Sequence, residues 1–267
     1  VAGACTLATE FTASRIIQTV YGASNFIWAN VIGLILLFLT LGYFIGGRIA
    51  DRNPTPVRFY RIICWAGLST AASLLVTSYF LKTSGLFLDS LKIGPAVGSF
   101  LTVATALAVP ITLLGCISPF ALRIAVAEVA EAGRISGRIY ALSTWGSLVG
   151  TYLPVLFTIP NIGSRLTGLL FGTILYLVGC FGLYRAKKLT ALYVLLPLVF
   201  FPFALLLSRG PLKNTKHQIF ETESSYNYIE VVKMGICRGL ILNEGSGVHS
   251  FHCPPGVELR PDYLSLM

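Results

Sequence analysis

The chain has 267 residues, of which 55% are hydrophobic and 12% are charged, with a formal net charge of +9 and a mean hydropathy of +0.76. Soluble domains carry about 25% charged residues, so this composition excludes an ordinary soluble fold. The positive charges are scattered through short segments between apolar runs, which is typical of membrane-protein loops and argues against nucleic acid as a partner. We predict an integral membrane protein surrounded by lipids.

Long apolar runs divide residues 1–208 into about seven predicted membrane spans. A hydrocarbon core of about 30 Å needs roughly 20 apolar helical residues. The predicted spans are 1–21, 26–50, 62–81, 94–122, 139–159, 166–184 and 189–207. A polar loop is expected at 82–92, and an amphipathic connector lying along the membrane surface is expected at 123–138. Ser143, Gly146 and Gly150 form a row of small residues in the fifth span, suited to close helix packing.

Two groups of charged residues stand out in this apolar region. Glu10 and Arg15 lie in the first span, and charges at membrane depth either mark a function or hold helices together, so each is expected to find a polar partner. Arg48, Asp51 and Arg52 end the second span at the membrane boundary. We expect this second group to hold spans two and three together, and the change Asp51→Asn to lower the amount of folded protein.

After residue 208 the sequence becomes polar. Residues 209–225 are predicted to be a linker and 226–267 the start of a β-domain. The segment YNYIEVVKM alternates with a period of two, as a half-buried strand does. GICRG predicts a turn, LILNEG a second strand, and VHSFHCPP a third strand that its prolines end. The predicted fold class is an all-α polytopic membrane bundle followed by a small antiparallel β-meander.

The distribution of Lys and Arg predicts the orientation in the membrane. The loops 48–61, 123–138 and 185–188 contain four, three and three of them, whereas the intervening loops contain none, two and one. Because cytoplasmic loops carry the excess, the first set is predicted to be cytoplasmic. Seven spans then place the β-tail outside a bacterial-type plasma membrane, although Arg209, Lys213 and Lys216 mildly favour the other side.

The β-tail contains residue types that bind metals or form disulfides. His249 and His252 point to opposite faces of a strand, so together with Cys253 they do not predict a metal site. Cys237 and Cys253 come to the same end of the predicted meander, where a disulfide and two free thiols are both open. Glu221 and Glu223 are most simply solvated residues ahead of a strand, and no catalytic residue or cofactor site is predicted.

Several stretches together resemble one known family. They are ATEFTASRIIQTVYGAS, GYFIGGRIADR, GRIYALSTWGSLVGTYLPVLFTIPNIGSR and the tail ETESSYNYIEVV…GLILNEGSGVHSFHCP. In this order they resemble the membrane half of fused spermidine synthase-like proteins and the first strands of the aminopropyltransferase domain that follows it. The start at Val1 and the incomplete β-domain lead us to expect a piece of a longer polypeptide.

The resemblance implies a pocket for decarboxylated S-adenosylmethionine and a polyamine. The positions that fall on the family's motif are Tyr226, Asn227, Asn243, His249 and Ser250, and the resemblance also places Glu221 and Glu223 at the pocket rim. No Gly-rich nucleoside loop follows Gly247, so we expect the chain as given to lack activity.

Three functions are therefore compatible with the sequence. The favoured one is a non-catalytic structural or accessory subunit that binds other membrane protein subunits. The second is the membrane half of a fused aminopropyltransferase, with decarboxylated S-adenosylmethionine as co-substrate only if the full-length protein is active. The third is a transporter that uses Glu10, Arg15 and the GGRIADR loop; spans three to seven contain no acidic residue, which argues against ion coupling.

Overall fold

The computed structural model describes residues 1–91, 94–126, 128, 131–208, 210–213, 215, 217–224, 226–243 and 247–254, with side chains at 82–91 outside the description. The helices of this part are α1 (Ala2–Tyr21), α2 (Asn25–Arg52), α3 (Pro56–Leu91), α4 (Pro95–Ala125), α5 (Ala132–Leu153), α6 (Ile159–Arg185) and α7 (Ala191–Ser208). A π-helical turn, Pro154–Thr158, joins α5 to α6. The strands are β1 (Gln218–Glu223), β2 (Tyr228–Met234), β3 (Cys237–Leu242) and β4 (Val248–His252).

Five helical segments are long and apolar enough to cross a membrane, judged by length and composition. They are Asn25–Arg52, Pro56–Leu81, Pro95–Ala125, Ala132–Arg185 and Ala191–Ser208. Helix α1 is less apolar and is not among them. The predicted class, a membrane-type helical bundle followed by a small antiparallel sheet, is confirmed at the level of these five candidate spans.

The longest of the five segments turns back on itself. The backbone leaves helical geometry at Gly163, with φ of 80° and ψ of 166°, a conformation that glycine adopts without a steric penalty. Before this turn, a side chain at Gly150 would collide with the backbone of Ala4. After it, the Cys5 thiol lies 3.4 Å from the carbonyl oxygen of Phe171. Ten residues further along α1, Arg15 lines a cavity with Val155 and shares the carboxylate of Glu223 with Ser164. Helix α1 is therefore parallel to α5 and antiparallel to the part of α6 that follows Gly163.

Helix α1 is polar in sequence but central in the bundle, contacting α2 through α6. The hydroxyl groups of its buried threonines donate hydrogen bonds to backbone carbonyl groups of the preceding turn. Thr9 donates to the Cys5 carbonyl at 2.6 Å, and Thr12 donates to the Ala8 carbonyl at 2.7 Å. These local bonds leave no hydroxyl donor unsatisfied in an apolar setting, so a threonine-rich helix can pack among apolar neighbours.

The four strands form one antiparallel sheet in the order β1-β2-β3-β4. Alternate residues of β2 are buried, as the period-2 pattern predicts. The inner face of the sheet, turned towards the helices, is the set Glu221, Glu223, Tyr228, Glu230 and Ile241, which the cross-strand register aligns. The segment YNYIEVVKM contains β2, and the predicted third strand, VHSFHCPP, contains β4. The predicted turn GICRG was too long, because β3 begins within it at Cys237 and shares only residues 240–242 with the predicted strand LILNEG.

Three other sequence-based boundaries were wrong. Strand β1 lies within the predicted linker. It was missed because two of its inward-facing residues are glutamates and the strand does not alternate apolar with polar residues. The predicted loop 82–92 is helical as far as Leu91. The connector 123–138 is not a separate surface helix, since α4 continues to Ala125 and α5 begins at Ala132. The amphipathic pattern of this segment instead belongs to the end of α4 and the start of α5.

Candidate functional site

Two arginines of the helices and two glutamates of β1 meet where the helical bundle contacts the sheet. Arg15, near the end of α1, places its Nε 3.7 Å from a carboxylate oxygen of Glu223 on β1. The same guanidinium donates a hydrogen bond to the carbonyl oxygen of Ser224, the residue after that strand. The side chains of the pair are only 20% and 14% exposed, so water screens their attraction weakly. One arginine of α1 thus holds the edge of the sheet.

A second ion pair of the same kind involves the glutamate two residues earlier on β1. Arg165, near the start of α6, lies 3.8 Å from Glu221 and donates to the carbonyl oxygen of Gly210 at 2.5 Å. Glu221 also accepts hydrogen bonds from the Tyr228 hydroxyl at 2.6 Å and from the backbone N–H of Leu212 at 3.1 Å. The carboxylate therefore joins α6, the linker and two strands.

The turn at Gly163 supplies the third connection. Immediately after it, the backbone N–H and the hydroxyl of Ser164 both donate to Glu223, at 3.1 and 2.5 Å. Because helical geometry resumes at this point, Glu223 satisfies an N–H at the start of the helix and places its negative charge where the helix dipole favours it. We name the set Arg15, Ser164, Arg165, Glu221 and Glu223 the clamp.

Tyr228 lies beneath the clamp on the inner face of the sheet. Burial, reinforced by the hydrogen bond to Glu221, raises the pKa of the Tyr228 phenol above its ordinary value. The phenol therefore stays a neutral donor to the carboxylate at physiological pH. The ammonium group of Lys213 stands 5.2 Å from the centre of the same ring, which adds a cation–π contact from the linker.

Two cavities flank the clamp. The smaller, about 210 Å³, lies between α1, α2, the π-helical turn, the start of α6 and the sheet, and Trp28, Arg15, Gln18, Tyr226 and Asn243 are among its lining residues. The larger, about 370 Å³, lies between the Gly163 turn, the end of α7 and β1. Sites for drug-sized ligands usually span about 300–1,000 Å³, so the smaller cavity falls below this range and the larger lies at its lower end.

The residues that the resemblance assigns to a substrate pocket do not form one cluster. Tyr226 and Asn243 line the smaller cavity, with Tyr226 exposed by 88%. Asn227 accepts a hydrogen bond from the Asn243 amide at 2.9 Å, and Asn243 accepts one from the backbone N–H of Tyr228 at 3.1 Å. These amides tie the β1–β2 turn to the end of β3.

The two remaining positions of that set lie elsewhere in the sheet. His249 and Ser250 are exposed on β4, at the far edge of the sheet from the clamp. The structure thus brings together three of the five positions and separates these two from them. Within the described ranges, no group of three His, Cys, Asp or Glu residues is arranged to hold a metal ion.

The charges named from the sequence fall into three environments. Arg15 belongs to the clamp, as expected of a span residue with a polar partner. The expectation was wrong for Glu10, which is half-buried on α1 and makes no hydrogen bond or ion pair with the described residues. Asp51 pairs at 3.3 Å with Arg123 of α4, so it joins α2 to α4 rather than to the third span.

The other two members of that boundary group carry no ion pair with the described residues. Arg48 lies 5.7 Å from the centre of the Phe44 ring, one turn before it on the same helix. Arg52 is exposed at the end of α2. Helix α2 begins beside the sheet at Trp28 and α6 begins at the clamp, so both helices end at the opposite end of the bundle, where Asp51 of α2 pairs with Arg123 of α4. The basic residues at the ends of α2, α4 and α6 therefore lie opposite the sheet.

Arg165, Ser164 and Tyr228 were not identified from the sequence. A usable signal was present at positions 163–165, where a glycine, a helix-capping serine and an arginine follow one another inside an apolar segment. Cys237 and Cys253 form a disulfide that joins the start of β3 to the residue after β4, which resolves the alternative between a disulfide and free thiols.

No protein-family model, curated protein or solved structure matches the chain significantly. The features of the chain that bear on its function are therefore the clamp, the sheet and the distribution of charge.

Proposed function

We propose that the protein is a seven-span membrane protein that acts as a structural or accessory subunit of a larger membrane assembly, with its sheet held rigidly over one end of the bundle. The count of seven includes α1 and treats the segment Ala132–Arg185 as two spans joined at Gly163. The turn at Gly163 and the opposite directions of its two parts relative to α1 support this count.

The clamp is the observation that carries the proposal. The two arginines near the sheet end of the spans and the two glutamates of β1 are engaged with one another and with nearby backbone groups. A charged group that acts in transport or catalysis must exchange its partners, whereas these make the fixed connections that a structural role requires. The result is a small sheet attached to the bundle through α1, α6 and the linker.

The same architecture supports an orientation. The basic loops lie opposite the sheet, and cytoplasmic loops carry the excess of Lys and Arg. A disulfide within the sheet, between Cys237 and Cys253, is typical of an oxidising compartment. We therefore place the sheet on the extracytoplasmic side of a bacterial-type plasma membrane.

We also propose, on the sequence stretches alone, that the chain shares ancestry with the spermidine synthase-like fusions. In that case, decarboxylated S-adenosylmethionine would bind to a further domain. The chain's own role would be to position that domain or another subunit at the membrane. The exposed sheet is the surface through which it would do so.

Native electrophoresis of mildly solubilised membranes tests the proposed role. The tagged chain, 28.9 kDa by sequence, should migrate in an assembly larger than its monomer, with partner subunits at a fixed ratio. The double variant Arg15→Ala/Arg165→Ala should insert normally but lose the assembly. The matched variant Arg58→Ala/Arg61→Ala, which removes two exposed charges from the other end, should keep it. Migration of the wild-type chain as a monomer would contradict the proposal.

A further inference from the structure

The face of the sheet that points away from the helices carries an apolar field that none of the described residues covers. Directly opposite residues on neighbouring strands share a face, so the register places Phe220 beside Val231, Val231 beside Leu240, and Ile229 beside Leu242. We call this set the outer apolar field. Phe220 is 56% exposed and the other four are half-buried. The sheet meets the helices through β1 and α6, on the inner face.

A row of basic residues borders this field. Lys233 lies directly opposite Arg238, and Arg238 lies directly opposite His252, so the three cross β2, β3 and β4 on one face. All three are exposed, and none forms an ion pair with a described residue. Like charges placed directly opposite one another destabilise a sheet. No described residue of the outer face is acidic, so the row has no counter-charge on its own surface.

We infer that this outer face binds an acidic amphipathic segment of a partner polypeptide, whose apolar side covers the field and whose carboxylates meet the basic row. The inference rests on the proposed role as an accessory subunit and names the surface that would serve it. A sheet face rich in aliphatic residues is ordinarily covered by another layer of structure. Charge complementarity then selects the sign of the partner.

Other occupants fit the observations less well. The membrane lies on the side of the inner face, because the clamp attaches that face to the helices. A second copy of the chain would bring another basic row, and none of its described outer-face residues is an acid that could pair with it. Nucleic acid or a polyanionic sugar would engage the basic row but leave the apolar field exposed to water.

Peptide binding to the full chain in nanodiscs of zwitterionic lipid tests the inference. The probe is a labelled helical peptide of about 14 residues, roughly four turns, with Leu on one side and Glu on the other. It should bind, and the variant Lys233→Gln/Arg238→Gln should weaken it about tenfold. The matched variant Arg58→Gln/Arg61→Gln removes the same charge at the opposite end and should leave binding unchanged.

A second pair of variants tests the apolar field. Phe220→Ser should weaken binding about fivefold, whereas Ile236→Ser, which removes an exposed apolar residue from the β2–β3 turn, should not. Equal weakening by both charge variants would overturn the inference, because bulk charge would then explain binding. So would equal binding of a peptide with Ser in place of Leu, or stronger binding to anionic vesicles than to the peptide.

Two further outcomes separate this inference from the proposed function. A chain ending at Pro254 that binds the peptide more than tenfold tighter would show that residues 255–267 occupy the face, and would overturn the assignment to a partner. If the native assembly survives Lys233→Gln/Arg238→Gln and the peptide does not bind, the outer face is not the docking surface and the accessory role stands. If no assembly exists, the accessory role fails whatever the peptide does.

Discussion

The two ends of the helical bundle use the same kinds of ion pair in different ways. At the sheet end, Arg165 and Glu221 are 10% and 24% exposed, and each makes additional hydrogen bonds to the linker. At the opposite end, Arg123 and Asp51 are 50% and 74% exposed. Exposed pairs contribute about 0–1 kcal/mol, whereas breaking a buried, hydrogen-bonded pair costs several times more. Burial and surrounding donors, rather than the charges alone, decide which end is rigid.

The largest expected effect is that of removing the Glu221 carboxylate. In Glu221→Ala, Tyr228, Leu212 and Arg165 lose an acceptor, and a buried guanidinium loses its counter-charge. We expect attachment of the sheet to weaken by about 3–5 kcal/mol. Trp28 lines the neighbouring cavity, so its fluorescence in a Trp65→Phe/Trp145→Phe background reports on the junction during thermal unfolding.

Two controls make this prediction specific. Glu221→Gln keeps the shape of the side chain and one acceptor oxygen, so it should be destabilised less than the alanine variant. Replacing Arg165 and Glu221 together by Met removes both charges without stranding either, and should cost less than either single alanine substitution. Unfolding of Glu221→Ala at the wild-type temperature would show that the clamp does not hold the sheet.

Reduction of the disulfide should have the next largest effect, confined to the sheet end. The bond closes a segment with a sequence separation of 16, and a loop of that size contributes about 3 kcal/mol by restricting the unfolded chain. A reducing agent should therefore lower the unfolding temperature of the sheet. The variant Cys237→Ser/Cys253→Ser should be insensitive to it, although Cys5, Cys64, Cys116 and Cys180 remain free thiols in the helices. A reductant effect that persists in this variant would refute the assignment.

Raising the pH tests the same end by a different route. The pKa of Tyr228 is raised in the fold above its ordinary value of 10 by burial and by Glu221. Between those two pKa values the folded state binds more protons than the unfolded state. The stabilising contribution is therefore complete below about pH 10 and is lost as the pH rises further, by at most about 1.4 kcal/mol per unit.

Tyr228→Phe provides the comparison for this titration. It should be less stable than wild type at neutral pH, because Glu221 loses a donor, and its stability should change less above pH 10. Parallel pH profiles for the two proteins, measured by the same Trp28 signal, would show that the phenol does not contribute.

The sequence predicts the apolar helices well because burial in lipid requires long uninterrupted runs, and β2 to β4 because their alternation is regular. Strand β1 was missed because its inward residues are glutamates, whose burial is made favourable only by Arg15 and Arg165 from distant segments. The turn inside 132–185 was placed near its true position by the gap between the predicted fifth and sixth spans. Contacts that join residues 50 or more positions apart, such as Ser164 with Glu223, leave no local pattern.

The smallest expected effect concerns Asp51 at the basic end, where sequence reasoning gave the opposite expectation. Asp51→Asn removes one acid from a region of many arginines, which suggests a marked loss of folded protein. The structure instead pairs Asp51 with Arg123 at 3.3 Å in a highly exposed position, where solvent screening leaves about 0.5 kcal/mol. The membrane yield and detergent stability of Asp51→Asn should therefore be close to wild type, and the double variant Asp51→Asn/Arg123→Gln should match it. A loss of folded protein as large as that caused by Glu221→Ala would mean that the two ends do not differ as their burial predicts.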